Sequence, residues 1–228
     1  MNFFLRPLIV IGFCITVFSC NKKPNEQKVA VWLTNIDESA LFEKQLKEPA
    51  FQDIDDLSPT INVDPAKSFQ EMDGFGFSLT GGSALVINRM NADKREALLK
   101  ELFQTDDKNI GISYLRISVG ASDLDERTFS YVEIPDGETD EKLTHFSLNE
   151  DRKNLIPVLK EILAINPDIK IMGSPWSAPK WMKTNNDTRG GSLKPKYFKL
   201  YADYFVKYLK SIEAEGVFID AITVQNEP

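Results

Sequence analysis

From Val29 onward, short extended apolar runs alternate with longer stretches in which apolar residues recur at helical spacing. "VAVWLTNI" (29–36) is β-branched and aromatic, and "INVDPAKSFQEMDGFGFSLT" (61–80) contains two further extended pieces around an Asp-Pro break. Together they predict a small β element at the N-terminal edge. A regular order then sets in. "GFGFSLT" (74–80) reads as a strand, "NADKREALLKELF" (91–103) as a helix capped by Asn91, and "GISYLRISVG" (111–120) as a second strand. A long polar loop from Ala121 to Leu148 leads to "NEDRKNLIPVLKEILAIN" (149–166), where Leu155, Val158, Leu159 and Ile162 fall on one helical face. The strand "IKIMGSPWS" (169–177) and a Gly-rich polar loop follow. Next come the helix "PKYFKLYADYFVKYLKSIEAEG" (195–216) and the strand "FIDAITVQ" (218–225). Phe198, Tyr201, Phe205, Leu209 and Ile212 form the expected apolar stripe of that last helix, with Gly216 as its C-cap.

Four nearly continuous apolar strands separated by helices imply an α/β fold with a parallel sheet covered by helices. Two architectures compete, a doubly wound open sheet and a (β/α)8 barrel. A nucleotide-binding open sheet would carry G-x-G-x-x-G at the first strand-to-helix turn, and "GFGFSLTGG" lacks it. In a barrel, functional groups gather at the C-terminal strand ends. There the sequence puts Ser78, Thr80, Asp123, Trp176, Asn226 and Glu227.

Composition narrows the chemistry. The chain has 228 residues, 42% of them hydrophobic and 27% charged, the balance of a globular protein with a sizeable core. The formal charge is −7 and the cations are scattered, so a nucleic-acid footprint is missing. One histidine, His145, and two cysteines, Cys14 and Cys20, exclude both a His/Cys metal cluster and a disulfide framework. Both cysteines lie in "MNFFLRPLIVIGFCITVFSC" (1–20), whose Arg6 precedes an apolar run from Leu8 to Phe18. That run is shorter than the ~20 apolar residues of a membrane span and reads as an export signal. "VFSC" resembles the lipobox of bacterial lipoproteins, with Phe18 bulkier than that pattern usually carries. The resemblance implies lipidation at Cys20, a polar tether over 21–28, and attachment to the membrane only through that lipid, in the periplasm or at the cell surface. Plain secretion and a buried apolar helix are the competing readings.

Four blocks occur in order: "DGFGFSLTGGSA" (73–84), "YLRISVGASDL" (114–124), "GSPWSAPKWMKTN" (173–185) and "ITVQNEP" (222–228). In sequence and spacing they resemble glycoside hydrolase family 30, which includes glucosylceramidases and bacterial β-1,6-glucanases. N-E-P alone is shared by several retaining glycosidase families; its combination with S-P-W-S-x-P is far more specific. The resemblance implies a TIM barrel flanked by a β-sandwich to which residues 29–72 contribute strands, with residues 73–228 forming the first half of the barrel. It implies a retaining β-glycosidase acting on β-glucosides, with endo-β-1,6-glucanase or xylanase action as alternatives, and it calls for no cofactor and no metal.

By the same resemblance Glu227 is the general acid/base. A glycosidic oxygen leaves poorly unless protonated as its bond breaks, which suits a carboxylic acid. Asn226 matches the residue that bonds the sugar 2-hydroxyl, Trp176 a pocket tryptophan offering an apolar face to sugar C–H groups, and Asp123 an acid that holds sugar hydroxyls. Taken singly, these would read as a loop amide, a core aromatic and a solvated aspartate. Arg116, in an apolar strand, is expected to pair with a carboxylate, either at the barrel mouth or in a purely structural ion pair. Trp181 and Lys183 read as structural. Glucosylceramidase-like members often carry an aspartate after the first block's threonine, whereas this chain has Thr80-Gly81-Gly82, a variant that resembles bacterial members.

Retaining hydrolysis needs a second carboxylate, and four strands leave none for a nucleophile. The sequence is therefore expected to be the N-terminal portion of a longer glycosidase. From a different class, the alternative is a fragment that binds carbohydrate or a partner without catalysis. An oxidoreductase on an open sheet ranks third, disfavoured by the missing glycines.

Overall fold

The computed structural model describes residues 28–51, 59–106 and 109–227. The apolar leader, including Cys14 and Cys20, and all of the expected tether but Lys28 lie outside the described residues. The chain divides into two compact units, one ending at Asp64 and one beginning at Pro65. In the first, β1 (Trp32–Leu33) pairs antiparallel with β2 (Glu43–Lys44), Trp32 opposite Lys44. Of the strand expected over 29–36 only two residues are extended and paired, and their partner β2 carries no apolar pattern that would have announced it. The extended pieces expected after Ile61 form no ladder before Gly76. Ile61, Val63 and Phe69 are instead exposed along irregular chain.

The second unit holds four parallel strands: β3 (Gly76–Leu79), β4 (Tyr114–Val119), β5 (Lys170–Pro175) and β6 (Ala221–Ile222). Their spatial order is their chain order. A doubly wound sheet reverses strand order at a switch point; the unbroken sequential order here is that of the first half of a (β/α)8 barrel. The register places Ser78, Arg116 and Met172 side by side, and next to them Leu79, Ile117 and Gly173. Strand residues alternate in direction, so Leu115, Ile117 and Val119 enter the core while Arg116 and Ser118 point to the opposite face.

Helices α1 (Gly81–Arg89) and α2 (Ala92–Phe103) follow β3, α3 (Leu155–Ile165) follows β4, and α4 (Phe198–Ala214) follows β5. Helix α1 has no counterpart in the sequence expectation, since two glycines at its start mask its propensity. Thr80 nucleates it nonetheless, its hydroxyl accepting from the Ser83 amide (3.1 Å), and Ala84 is fully buried. Asn91 caps α2 as expected by accepting from the Asp93 amide. On α4 the buried stripe is Tyr201, Tyr204, Tyr208 and Ile212, and Phe198 is exposed. Tyr201 and Ile212 are buried as expected, and Tyr204 and Tyr208, whose hydroxyls lowered their apparent hydrophobicity, carry the rest of the packing. Gly216, at φ +86°, ends the helix.

The 121–148 segment is polar in sequence but firmly anchored. Tyr131 stacks on Tyr208 at 5.3 Å, its amide donates to Tyr204 Oη, and its hydroxyl donates to Asp151 Oδ2 at 2.5 Å. Trp181 Nε1 donates to the Val132 carbonyl and Lys207 Nζ to that of Leu143. Asp151 is almost fully buried. Burial raises its pKa to about 7, reinforced by the charges of Asp125 and Glu150 and opposed by the Tyr131 hydrogen bond.

A carboxyl that holds its proton more tightly when folded favours the native state at low pH, and that contribution is lost as pH climbs from the unfolded value near 4 to about 7. Stability should therefore fall across that window by on the order of 1.4 kcal/mol per pH unit. Asp151→Asn should flatten the decline in thermal or denaturant unfolding. An unchanged slope in the variant would assign the decline to other groups.

Candidate active site

Thr80, Asp123, Trp176, Asn226 and Glu227 lie beyond the C-terminal ends of the strands, while Ser78 and Arg116 stand within β3 and β4 on the sheet face that leads to them. Arg116 sits mid-way along β4 among hydroxyl-bearing neighbours. Its Nη1 donates to Ser78 Oγ on β3 (3.3 Å), and its Nη2 to Ser174 Oγ on β5 (3.2 Å) and Asn226 Oδ1 beyond β6 (2.7 Å). Among the described residues no carboxylate pairs with it; side-chain oxygens from three neighbouring chain segments accept instead. Ser174 Oγ also lies 2.7 Å from Thr223 Oγ1. Sequence reasoning assigned no role to Ser174 or Thr223, although both stand inside recognisable blocks, because hydroxyl pairing across strands leaves no periodic signal.

Beyond β6 the chain departs from a regular ladder. The amides of Asp220, Thr223 and Asn226 donate to the carbonyls of Ile171, Gly173 and Pro175, so this chain advances three residues for every two on β5. Such bulging ends the strand early and re-aims its side chains. It explains why an eight-residue apolar run yields only two strand residues. Gln225 Nε2 adds a bond to the Trp176 carbonyl (2.7 Å), tying the two loop starts together.

Because Asn226 Oδ1 is held by a guanidinium, a pure donor, the other end of that amide is the NH2 group, leaving a donor for a ligand oxygen. Glu227 follows in the left-handed region at φ +47°, uncommon for a residue with a β-carbon. It is exposed, and among the described residues no hydrogen bond or ion pair engages its carboxylate.

A cleft of about 420 Å³ is lined by Trp176, Ser177, Lys183, Arg189, Asn226 and Glu227 among others. Trp176 is half-buried there. Lys183 is only 7% exposed, and burial lowers its pKa while the nearby Asp187 charge opposes the shift. Its ammonium donates to Ser177 Oγ (3.1 Å) and the Thr188 carbonyl (2.8 Å).

Asp123 is placed differently. It is exposed on the loop after β4, makes no hydrogen bond among the described residues and does not line this cleft. Its neighbour Asp125 organises that loop by accepting from the Ser122 amide (2.7 Å) and hydroxyl (3.0 Å). The loop rests on the start of α1. A β-carbon on Gly81 would lie 2.0 Å from Asp125 Oδ1, and one on Gly82 2.0 Å from the Leu124 carbonyl oxygen. The glycine pair therefore permits a contact that any side chain would block. Among the described residues no group of three or more His, Cys, Asp or Glu could hold a metal ion, and no helix is long and apolar enough to cross a membrane.

At the strand ends of this half-barrel a carboxylate, an anchored amide and an indole surround one cleft, offering an acid, a hydrogen-bond donor and an apolar face. Residues 72–228 match the glycosyl hydrolase family 30 TIM-barrel domain, and the chain belongs to that family. It is 36% identical over 173 residues to an endo-1,6-beta-D-glucanase of Neurospora crassa, covering 74% of this chain and 36% of that protein. It is 34% identical to the lysosomal acid glucosylceramidase of Mus musculus, covering 74% and 33%. Among solved structures, the endo-beta1,6-glucanase BT3312 superposes with a TM-score of 0.72 at 37% identity, over 88% of this chain and 43% of that one. SrfJ from Salmonella typhimurium superposes with a TM-score of 0.72 at 33% identity, over 80% and 41%. The chain thus spans roughly a third of the length of the relatives it matches.

In an isolated helix start, Gly82→Ala would stabilise by up to about 1 kcal/mol. Here the blocked approach to Leu124 should reverse the sign, costing about 1–3 kcal/mol in denaturant unfolding. A stabilised variant would mean that the β4 loop does not sit against α1.

Proposed function

We propose that the protein is a retaining β-glycosidase that hydrolyses β-linked glucosides or glucans, with Glu227 as its general acid/base. The observation that carries this reading is the pairing of Glu227 with Asn226, whose amide Arg116 holds at 2.7 Å so that its NH2 is available to a sugar hydroxyl. Glu227 protonates the departing glycosidic oxygen and then, as carboxylate, deprotonates the incoming water. Asn226 offers its donor to the 2-hydroxyl, where the bond strengthens as the ring gains oxocarbenium character. Trp176 covers the C–H face of the sugar.

Double displacement also requires a nucleophile about 5–5.5 Å from the acid/base. Glu227 is the only carboxylate among the described residues lining the cleft. The nucleophile accordingly comes from the strands of an eight-stranded barrel beyond these four. The substrate reading favours a β-1,6-glucan, the polymer named for the Neurospora relative and for BT3312. Glucosylceramide, named for the mouse relative, is the second reading. Export as a lipoprotein anchored through Cys20 would bring the enzyme to polysaccharide outside the cytoplasm.

Glu227→Ala should cut turnover of natural glycosides by at least ~1000-fold, while aryl glycosides with activated phenol leaving groups, which need no proton, lose far less in the glycosylation step. Equal losses on both would show that Glu227 is not the acid. Cys20→Ala should move the protein from the membrane fraction to the soluble one, and unchanged fractionation would remove the lipid anchor from the reading.

A further inference from the structure

The segment 184–192 forms one wall of the cleft, and its construction is unusually closed. The Thr184 amide donates to the Ser192 carbonyl (2.8 Å), and the Ser192 amide donates back to Thr184 Oγ1 (3.0 Å). Asn185 fills the ring, its Nδ2 donating to the Arg189 carbonyl (2.7 Å). Asp187 Oδ1 accepts from the Arg189 amide (2.9 Å). From below, the buried Lys183 ammonium holds the Thr188 carbonyl. Gly191, at φ +69°, lets the chain close over Asn185, whose Oδ1 a β-carbon would meet at 2.3 Å. The bonds on either side of Arg189 thus fix its backbone at both its amide and its carbonyl.

Among the described residues this scaffold presents a guanidinium that feels the Asp187 carboxylate through its charge but donates to no acceptor, so that its N–H groups are left for a ligand. Arg189 is exposed and lines the same cleft as Trp176 and Glu227, and among the described residues its side chain makes no hydrogen bond or ion pair. A guanidinium offers five N–H donors in a planar fork. Covering it with an alkyl chain would strip its water without replacing those bonds. The hydroxyls of a sugar would replace them, while Trp176 packs on sugar C–H groups.

We propose that Arg189 is a specificity-determining residue that binds hydroxyl groups of a second sugar unit, selecting a saccharide over an apolar aglycone. This rests on the glycosidase reading above and names its substrate class. Lys183 supports the loop from below through its bond to the Thr188 carbonyl, its ammonium anchored in turn on Ser177 Oγ.

The test is made in the full-length protein, with the barrel strands that supply the nucleophile, and compares Arg189→Ala and Arg189→Lys with the parent on a β-1,6-linked gluco-oligosaccharide and on an aryl β-glucoside, which has no second sugar. In Arg189→Ala the ratio of kcat/KM between oligosaccharide and aryl glucoside should fall about 10- to 100-fold, the range of one lost charge-assisted hydrogen bond. The loss should be carried by KM, with Arg189→Lys intermediate and thermal unfolding unchanged. An unchanged ratio overturns the proposal, as does an equal fall on both substrates. Calorimetric binding of the same oligosaccharide to Glu227→Gln, with and without Arg189→Ala, separates the two readings. Binding that depends on Arg189 without any turnover would refute the glycosidase reading and leave this subsite standing. Turnover that depends on Glu227 but not on Arg189 would refute the subsite alone. An Arg189-independent affinity also counts against it.

Discussion

One cation inside a parallel sheet organises everything near the active end of this molecule. Arg116 projects from β4 to the face that carries no helices, where burying its charge without partners would be costly. It is accommodated because the adjoining strands present Ser78 and Ser174, and because the chain beyond β6 turns Asn226 back toward it. The guanidinium therefore does more than satisfy itself. By occupying the oxygen of Asn226 it dictates which end of that amide remains for a ligand.

The rest of the site depends on how the chain leaves the sheet. After β6 the backbone slips relative to β5, three residues against two, and delivers Asn226 and Glu227 to the rim instead of burying them in a continuing ladder. Thr223 on Ser174 and Gln225 on the Trp176 carbonyl hold the slipped segment to the end of β5 and to the loop after it. Glu227, Asn226 and Trp176 are thus coupled through bonds that run between chain segments, supported by the strands beneath. The leaf of chain over 184–192 uses the same device, closing on its own side chains and resting on a buried lysine.

Much of this was legible beforehand where local chemistry repeats. The alternation of strand and helix periods, the Asn91 cap and the Gly216 stop all follow from residue-by-residue preference, and the ordered strands with S-P-W-S and N-E-P at their ends point to one family. What escaped has a common cause. Helix α1 was hidden because its opening glycines serve an inter-loop contact, so their low helix propensity misled. The α4 stripe was displaced because Tyr204 and Tyr208 bury rings whose hydroxyls look polar. The way the loop after β4 meets α1, Asp125 against Gly81 and the Leu124 carbonyl against Gly82, joins residues more than 40 positions apart and left no local signal.

By itself, then, the sequence determined the parallel α/β order, the first half of a barrel and, through its four blocks, the family. Those are properties of short windows, where periodicity and block spacing suffice. Only the tertiary structure decided that Arg116 binds two serines and an amide, that the last strand slips, and that the Arg189 side chain lines the cleft without a hydrogen bond among the described residues. Each of those depends on groups many residues apart meeting at hydrogen-bonding distance, and no single stretch of chain carries that information.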